Sequence, residues 1–98
     1  MNQREVRFAV GADEDLIRLF EFLCEKDSRL AERALVTIRK ALAMAAALPF
    51  TCRKAAQASS LRECVIPFGH AGYVAAFEIA ADHILVLAVR HQREDDYQ

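Results

Sequence analysis

The chain opens on strict alternation. In "REVRFAV", residues 4–10, Val6, Phe8 and Val10 fall on one side and Glu5, Arg7 and Ala9 on the other, the period of a half-buried strand. Gly11 reads as its end. The period then lengthens. Leu16, Phe20 and Leu23, joined by Ile17, Leu19 and Cys24, recur at helical spacing behind Asp13, Glu14 and Asp15. Carboxylates suit a helix N-terminus, where N–H groups are unpaired and the dipole is positive, so the spacing predicts a helix over residues 13–26. A second stripe, Leu30, Ala34, Ile38 and Leu42 with Leu35 beside it, follows a cap supplied by Asp27 or Ser28. It runs through the helix-favouring "ALAMAAAL" and stops near Leu48, ahead of Pro49. A link confined to residues 27–29 makes the two helices antiparallel neighbours, an αα-hairpin.

Residues 50–60 break the pattern and read as a polar, irregular connector carrying Arg53 and Lys54. "LRECVIPF" predicts a strand, "GHAG" a turn, and "YVAAFEIA" the return strand, with Tyr73, Ala75, Phe77 and Ile79 on one face. Ala81, Asp82 and His83 make the next turn. "ILVLAVR" is apolar on both faces and predicts a central strand buried on both sides for much of its length. The expected fold is α+β: an N-terminal strand, an α-helical hairpin, then a three-stranded antiparallel meander. These form one mainly antiparallel sheet with helices on one face, a single domain over residues 1–98.

Composition fits that domain and narrows its partners. Of 98 residues, 54% are hydrophobic and 28% charged, with a net charge of −1. That balance supports one packed core and weighs against an extensive nucleic-acid footprint, which calls for a basic surface. Cys24, Cys52 and Cys64 are odd in number and widely spaced, so they are expected as free thiols in a reducing cytoplasm, with no metal and no cofactor. "MNQREVRFAV" has no apolar core of a signal peptide, and residues 41–50 are too short an apolar stretch to span a bilayer. The expectation is a cytoplasmic protein with no membrane partner.

The chemistry concentrates near the C-terminus. In "LAVRHQREDDY" an apolar strand ends in Arg90, His91 and Arg93, then Glu94, Asp95 and Asp96, closed by Tyr97. Further cations are Arg53, Lys54 and Arg62, and Arg62 is expected on the same side of the sheet as Arg90. Guanidinium forks suit a phosphate or a carboxylate. The competing reading is a set of solvated edge residues balanced by Glu63 and residues 94–96. His91 titrates near neutrality and qualifies as a general base, or else is structural. Tyr97 is a docking or catalytic phenol, or an apolar anchor. No nucleophile elbow or phosphate-binding glycine motif is present in the sequence. Phe20, Phe22 and Leu23 read as core, with a groove beside the helices able to take a partner helix.

Together, the layout, "LRECVIPFGHAGYVAAFEI" and "ILVLAVRHQREDDY" resemble the RelE/ParE superfamily of type II toxin–antitoxin toxins, which includes plasmid-stabilisation proteins. The resemblance spans residues 6–97. It implies a toxin held by a cognate antitoxin encoded in the same operon, with DNA binding left to the antitoxin rather than to the toxin alone. One branch of the superfamily cleaves messenger RNA on the ribosome; the other inhibits DNA gyrase. The ribonuclease branch often carries an arginine directly after the hairpin's Gly-Tyr, where this chain has Val74. Its strand over residues 61–67 is lysine-rich, and here it holds Arg62 alone. Gln92 interrupts the C-terminal cations. These departures favour a ParE-like gyrase inhibitor over an enzyme. Arg53, Lys54, Arg62, Arg90 and Arg93 are then the candidates for antitoxin or target binding. On the ribonuclease alternative, Arg62, Arg90, His91, Arg93 and Tyr97 are the catalytic candidates. A degenerate, non-toxic partner-binding module is the third reading.

Overall fold

A computed structural model describes residues 4–56 and 58–92. In chain order the elements are β1 (Glu5–Phe8), α1 (Val10–Lys26), α2 (Ser28–Ala47), a 3₁₀ turn (Pro49–Thr51), β2 (Arg53–Lys54), β3 (Arg62–Phe68), β4 (Ala71–Ile79) and β5 (His83–His91). The strands form one sheet in the order β1-β5-β4-β3-β2. β1 runs parallel to β5, and every other pairing is antiparallel. The α+β class, the hairpin and the meander are as the sequence predicts.

Helix α1 begins at Val10, three residues earlier than the acidic cluster suggests. The Ala9 N–H donates to the Val86 carbonyl (2.9 Å), continuing the parallel ladder, while the Ala9 carbonyl accepts from Ala12 and Asp13 (both 3.0 Å). One residue thus ends the strand and starts the helix. Gly11 lies inside the first turn, and Val10 points outward rather than into the core. A single residue, Asp27, separates the helices; its side chain caps α2 by accepting from the Arg29 N–H (2.9 Å). The helical stripes meet the sheet face bearing Cys64, Ile66, Tyr73, Ala75, Phe77, Ile84, Val86 and Val89. Phe77, Leu42, Ile66, Ile84, Val86 and Val89 are fully buried there. Each contributes about 1.5–3 kcal/mol by leaving water, so stability is concentrated at mid-sheet.

Phe22, read as core, is instead exposed, and two further expectations are corrected. The connector is not wholly irregular, because Arg53 pairs with Glu63 and Lys54 with Arg62 as a short edge strand. Nor is β5 buried on both faces. Ile84, Val86 and Val89 are buried, while Leu85, Leu87 and Ala88 are only half-buried, since the helices cover one face of the sheet. A β-bulge explains the spacing. Ala76 faces Ala88 but Phe77 faces Val86, leaving Leu87 as the extra residue; the bulge brings both Val86 and Val89 onto the core side.

The β3–β4 turn requires glycine at one point. A Cβ on Gly72 (φ +156°) would overlap the Ile66 carbonyl oxygen, so the hairpin closes only around a residue without a side chain. Pro67, opposite Gly72, lies beyond the reach of β2, where β3 is an edge and proline's missing N–H is tolerated.

Candidate functional site

The candidate cations fall into two groups at opposite ends of the sheet. Arg62 faces Phe77, which faces Val86, whereas Arg90 faces Val74 and His91 faces Tyr73. Two successive antiparallel pairings make β3 and β5 parallel, so the start of β3 is level with the first half of β5, not with its end. The faces differ as well. Arg62 shares its face with Cys64 and Ile66, on the helix side; Arg90 shares the helix-free face with Val74 and Val65. The expectation that Arg62 joins Arg90 in one patch is therefore overturned. Arg93 and Tyr97 lie outside the described residues.

At the first end, Arg62 is occupied by the fold. Its Nη1 donates to the Cys52 carbonyl (2.8 Å) and the Phe50 carbonyl (3.3 Å). Its guanidinium carbon lies 5.5 Å from the centre of the Phe50 ring. Arg4, whose Nε donates to the Ala80 carbonyl (2.8 Å), lies 5.8 Å from the same ring. Each guanidinium is within cation–π range. The Arg53 Nε is paired with Glu63 Oε1 (2.9 Å), and Lys54 is exposed beside Arg62. Exposed Met44, Leu48 and Phe50 follow one another here. Pattern reading missed Arg4 and Phe50; the only signal was an aromatic directly after Pro49.

At the second end, aromatic groups line up on the helix side. The rings of Phe68 and Tyr73 are 6.1 Å apart, and those of Tyr73 and His91 meet edge-on at 5.6 Å. Tyr73 is 3% exposed, and burial pushes its phenol above the usual range. Its ring also lines a small apolar pocket under the helical hairpin with Leu16, Leu19, Phe20, Ala34 and Ile38. His91 is half-buried against it.

On the other face, Arg90 is exposed, and no carboxylate among the described residues pairs with it. Its neighbours across the strands are Val74 and Val65, the latter 41% exposed. A cation beside a small apolar strip can take a carboxylate from a protein partner or a phosphate. The backbone beneath it is fixed by α1, because Asp15 Oδ2 accepts from the Val89 N–H at 2.9 Å.

Other titratable groups have structural partners or stand apart. His83 Nδ1 lies 2.7 Å from Asp82. That contact, with Arg7 beyond it, holds the Asp82 carboxyl below its ordinary range. His70 is exposed in the β3–β4 turn. The cysteines are free. Among the described residues, no three His, Cys, Asp or Glu side chains converge as a metal site, and no helix is long and apolar enough to cross a membrane.

No curated protein matches the chain in sequence. Among solved structures, the chromosomal ParDE TA system from P. aeruginosa superposes with a TM-score of 0.75. The match covers 91% of this chain and 96% of that one at 12% identity, a likeness of fold. The family model for the ParE toxin of the type II toxin–antitoxin system, parDE, matches residues 6–96, nearly the whole sequence. The chain belongs to the ParE toxins of type II toxin–antitoxin systems, within the RelE/ParE superfamily.

Proposed function

We propose that this toxin acts in the cytoplasm by inhibiting DNA gyrase, and that a cognate antitoxin encoded in the same operon neutralises it. The observation that carries this reading is the separation of the cations. A ribonuclease must converge acid, base and phosphate-stabilising groups on one scissile phosphate. Arg62 is held by two backbone carbonyls at one end of the sheet, while Arg90 and His91 lie at the other end and on opposite faces. Val74, beside Arg90, has no charge or proton to offer. A cation with no carboxylate partner among the described residues, on a face that also exposes Val65, suits docking to a protein. Arg90 is the residue we assign to target or antitoxin contact; Arg53, Lys54 and Arg62 shape the far edge.

A second reading is ribosome-dependent messenger RNA cleavage, whose candidates Arg90 and His91 are consecutive at the end of β5 but on opposite faces. Pulse-labelling in cells expressing the chain alone separates the two. Early loss of DNA synthesis supports gyrase inhibition. Early loss of protein synthesis, with DNA synthesis continuing, rejects it in favour of cleavage.

A further inference from the structure

In the β2–β3 pair, Arg53 faces Glu63 and Lys54 faces Arg62. Cys52 is extended (φ −78°, ψ 151°), so the register continues by one residue and sets Cys52 opposite Cys64. The Ala55 N–H donates to the Leu61 carbonyl at 2.9 Å, which puts these two residues at a hydrogen-bonding position of the ladder, while the Leu61 N–H closes the turn on the Ala58 carbonyl (3.0 Å). Pair types alternate along an antiparallel ladder. Counting back, Lys54–Arg62 is non-hydrogen-bonded, Arg53–Glu63 hydrogen-bonded, and Cys52–Cys64 non-hydrogen-bonded. The Cys52 N–H agrees, because it turns away to the Pro49 carbonyl (3.2 Å). In such pairs the Cα atoms approach to about 4.5 Å and the side chains lie closest, inside the span of about 4.4–6.8 Å that a disulfide bridges. The Cys64 thiol points to the Ala41 carbonyl (4.0 Å), and the two cysteines are near enough to perturb each other's ionisation.

We propose that Cys52 and Cys64 are a cross-strand dithiol which a small-molecule disulfide oxidises to an intramolecular bridge, stapling β2 and the 3₁₀ turn to β3. Cys52 is half-exposed and Cys64 buried, so Cys52 reacts first. Its thiolate attacks one sulfur of the oxidant, forming a mixed disulfide and releasing one small thiolate, which takes up a proton. The Cys64 thiolate then attacks the Cys52 sulfur and expels the second small thiol. Two protein thiols lose two electrons and two protons; the oxidant disulfide becomes two thiols. Burial raises both thiols above their ordinary range, Cys64 to about 11, so thiolate is scarce near neutrality and bridging is slow. The bridge fixes the segment bearing Phe50, Arg53 and Lys54, whose carbonyls at Phe50 and Cys52 hold Arg62. It stands whichever target the toxin has.

Peptide mapping under non-reducing conditions tests it. The folded Cys24→Ser chain is incubated with oxidised glutathione at about pH 8, where thiolate chemistry proceeds, and the wild type is mapped alongside. The expected product is a monomer lighter by two hydrogens, with no free thiol in Cys24→Ser and the peptides containing Cys52 and Cys64 linked in both proteins. Adding Cys52→Ser should abolish the bridge and leave Cys64 unmodified. A lasting glutathione adduct on Cys52 beside a free Cys64 would overturn the proposal. So would a disulfide-linked dimer, or two intact thiols in folded protein under conditions that oxidise the urea-unfolded chain.

Discussion

Asp15, in the second turn of α1, accepts a hydrogen bond from the backbone N–H of Val89 in β5, 74 residues later in the chain. β1 ends at Phe8, opposite Val86, and leaves the remainder of that β5 edge without a strand. Asp15 supplies the acceptor that a longer β1 would have provided, one residue before Arg90. The position of the exposed guanidinium is thereby tied to the first helix.

Replacing Asp15 with alanine leaves the part-buried Val89 N–H without its acceptor. The expected cost is about 1–3 kcal/mol, the penalty for an unsatisfied buried donor. Asp15→Asn, which keeps an acceptor oxygen, should cost less. Urea denaturation of the three proteins checks the order.

The two turn glycines should differ. Gly72→Ala places a Cβ against the Ile66 carbonyl oxygen, whereas a Cβ on Gly69 (φ +64°) meets nothing within 4 Å. Gly69→Ala should cost about 1–2 kcal/mol, the strain of a left-handed conformation. Gly72→Ala should cost more, because the backbone itself must move. Thermal melts of both variants test this.

Arg62 and Arg90 should separate stability from function. Arg62→Ala removes two hydrogen bonds to carbonyls and a ring contact, and should lower stability by about 1–3 kcal/mol. Arg90 is exposed and has no ion pair with a described carboxylate, so Arg90→Ala should stay within about 0.5 kcal/mol of wild type. Denaturation midpoints measured beside growth arrest would show whether toxicity follows Arg90 rather than stability.

The Cys64 thiol gives an alkaline signature. Its pKa is raised by burial, then by Cys52, from 9.0 to about 11 in the folded chain. A raised folded value means that the stabilisation is fully present below about pH 9 and is lost as pH rises through about 11. The difference in stability between wild type and Cys64→Ala should therefore shrink over that interval, as measured by denaturant titrations at stepped pH.

Much of the architecture is written locally in the chain. The stripes through Leu16, Phe20 and Leu23 and through Leu30, Ala34, Ile38 and Leu42 encode the hairpin, and the alternation from Cys64 to Phe77 encodes the meander. Features set by distant partners are not legible that way. Helix α1 starts at Val10 because Ala9 bonds to Val86, and β2 exists because Glu63 and Arg62 pair with it. The bulge at Leu87 makes Val86 and Val89 share the core face, which breaks the period that a pattern reading assumes. At the candidate site, the exposure of Arg90 was readable from the end of an apolar run. The retention of Arg62 by the Phe50 and Cys52 carbonyls was not, since backbone acceptors leave no mark in residue type. The parting of Arg62 from Arg90, by contrast, follows from the predicted meander itself, since two successive antiparallel pairings make β3 and β5 parallel; the single patch was expected by treating those two strands as neighbours.

The most direct measurement is plasmid supercoiling by purified DNA gyrase, titrated with the wild-type toxin and with Arg90→Ala. We predict that wild type abolishes supercoiling in a concentration-dependent way and that Arg90→Ala, folded and equally stable, needs at least about tenfold more protein, a loss of about 1.4 kcal/mol of binding. Full supercoiling at a large excess of wild-type toxin would contradict the account.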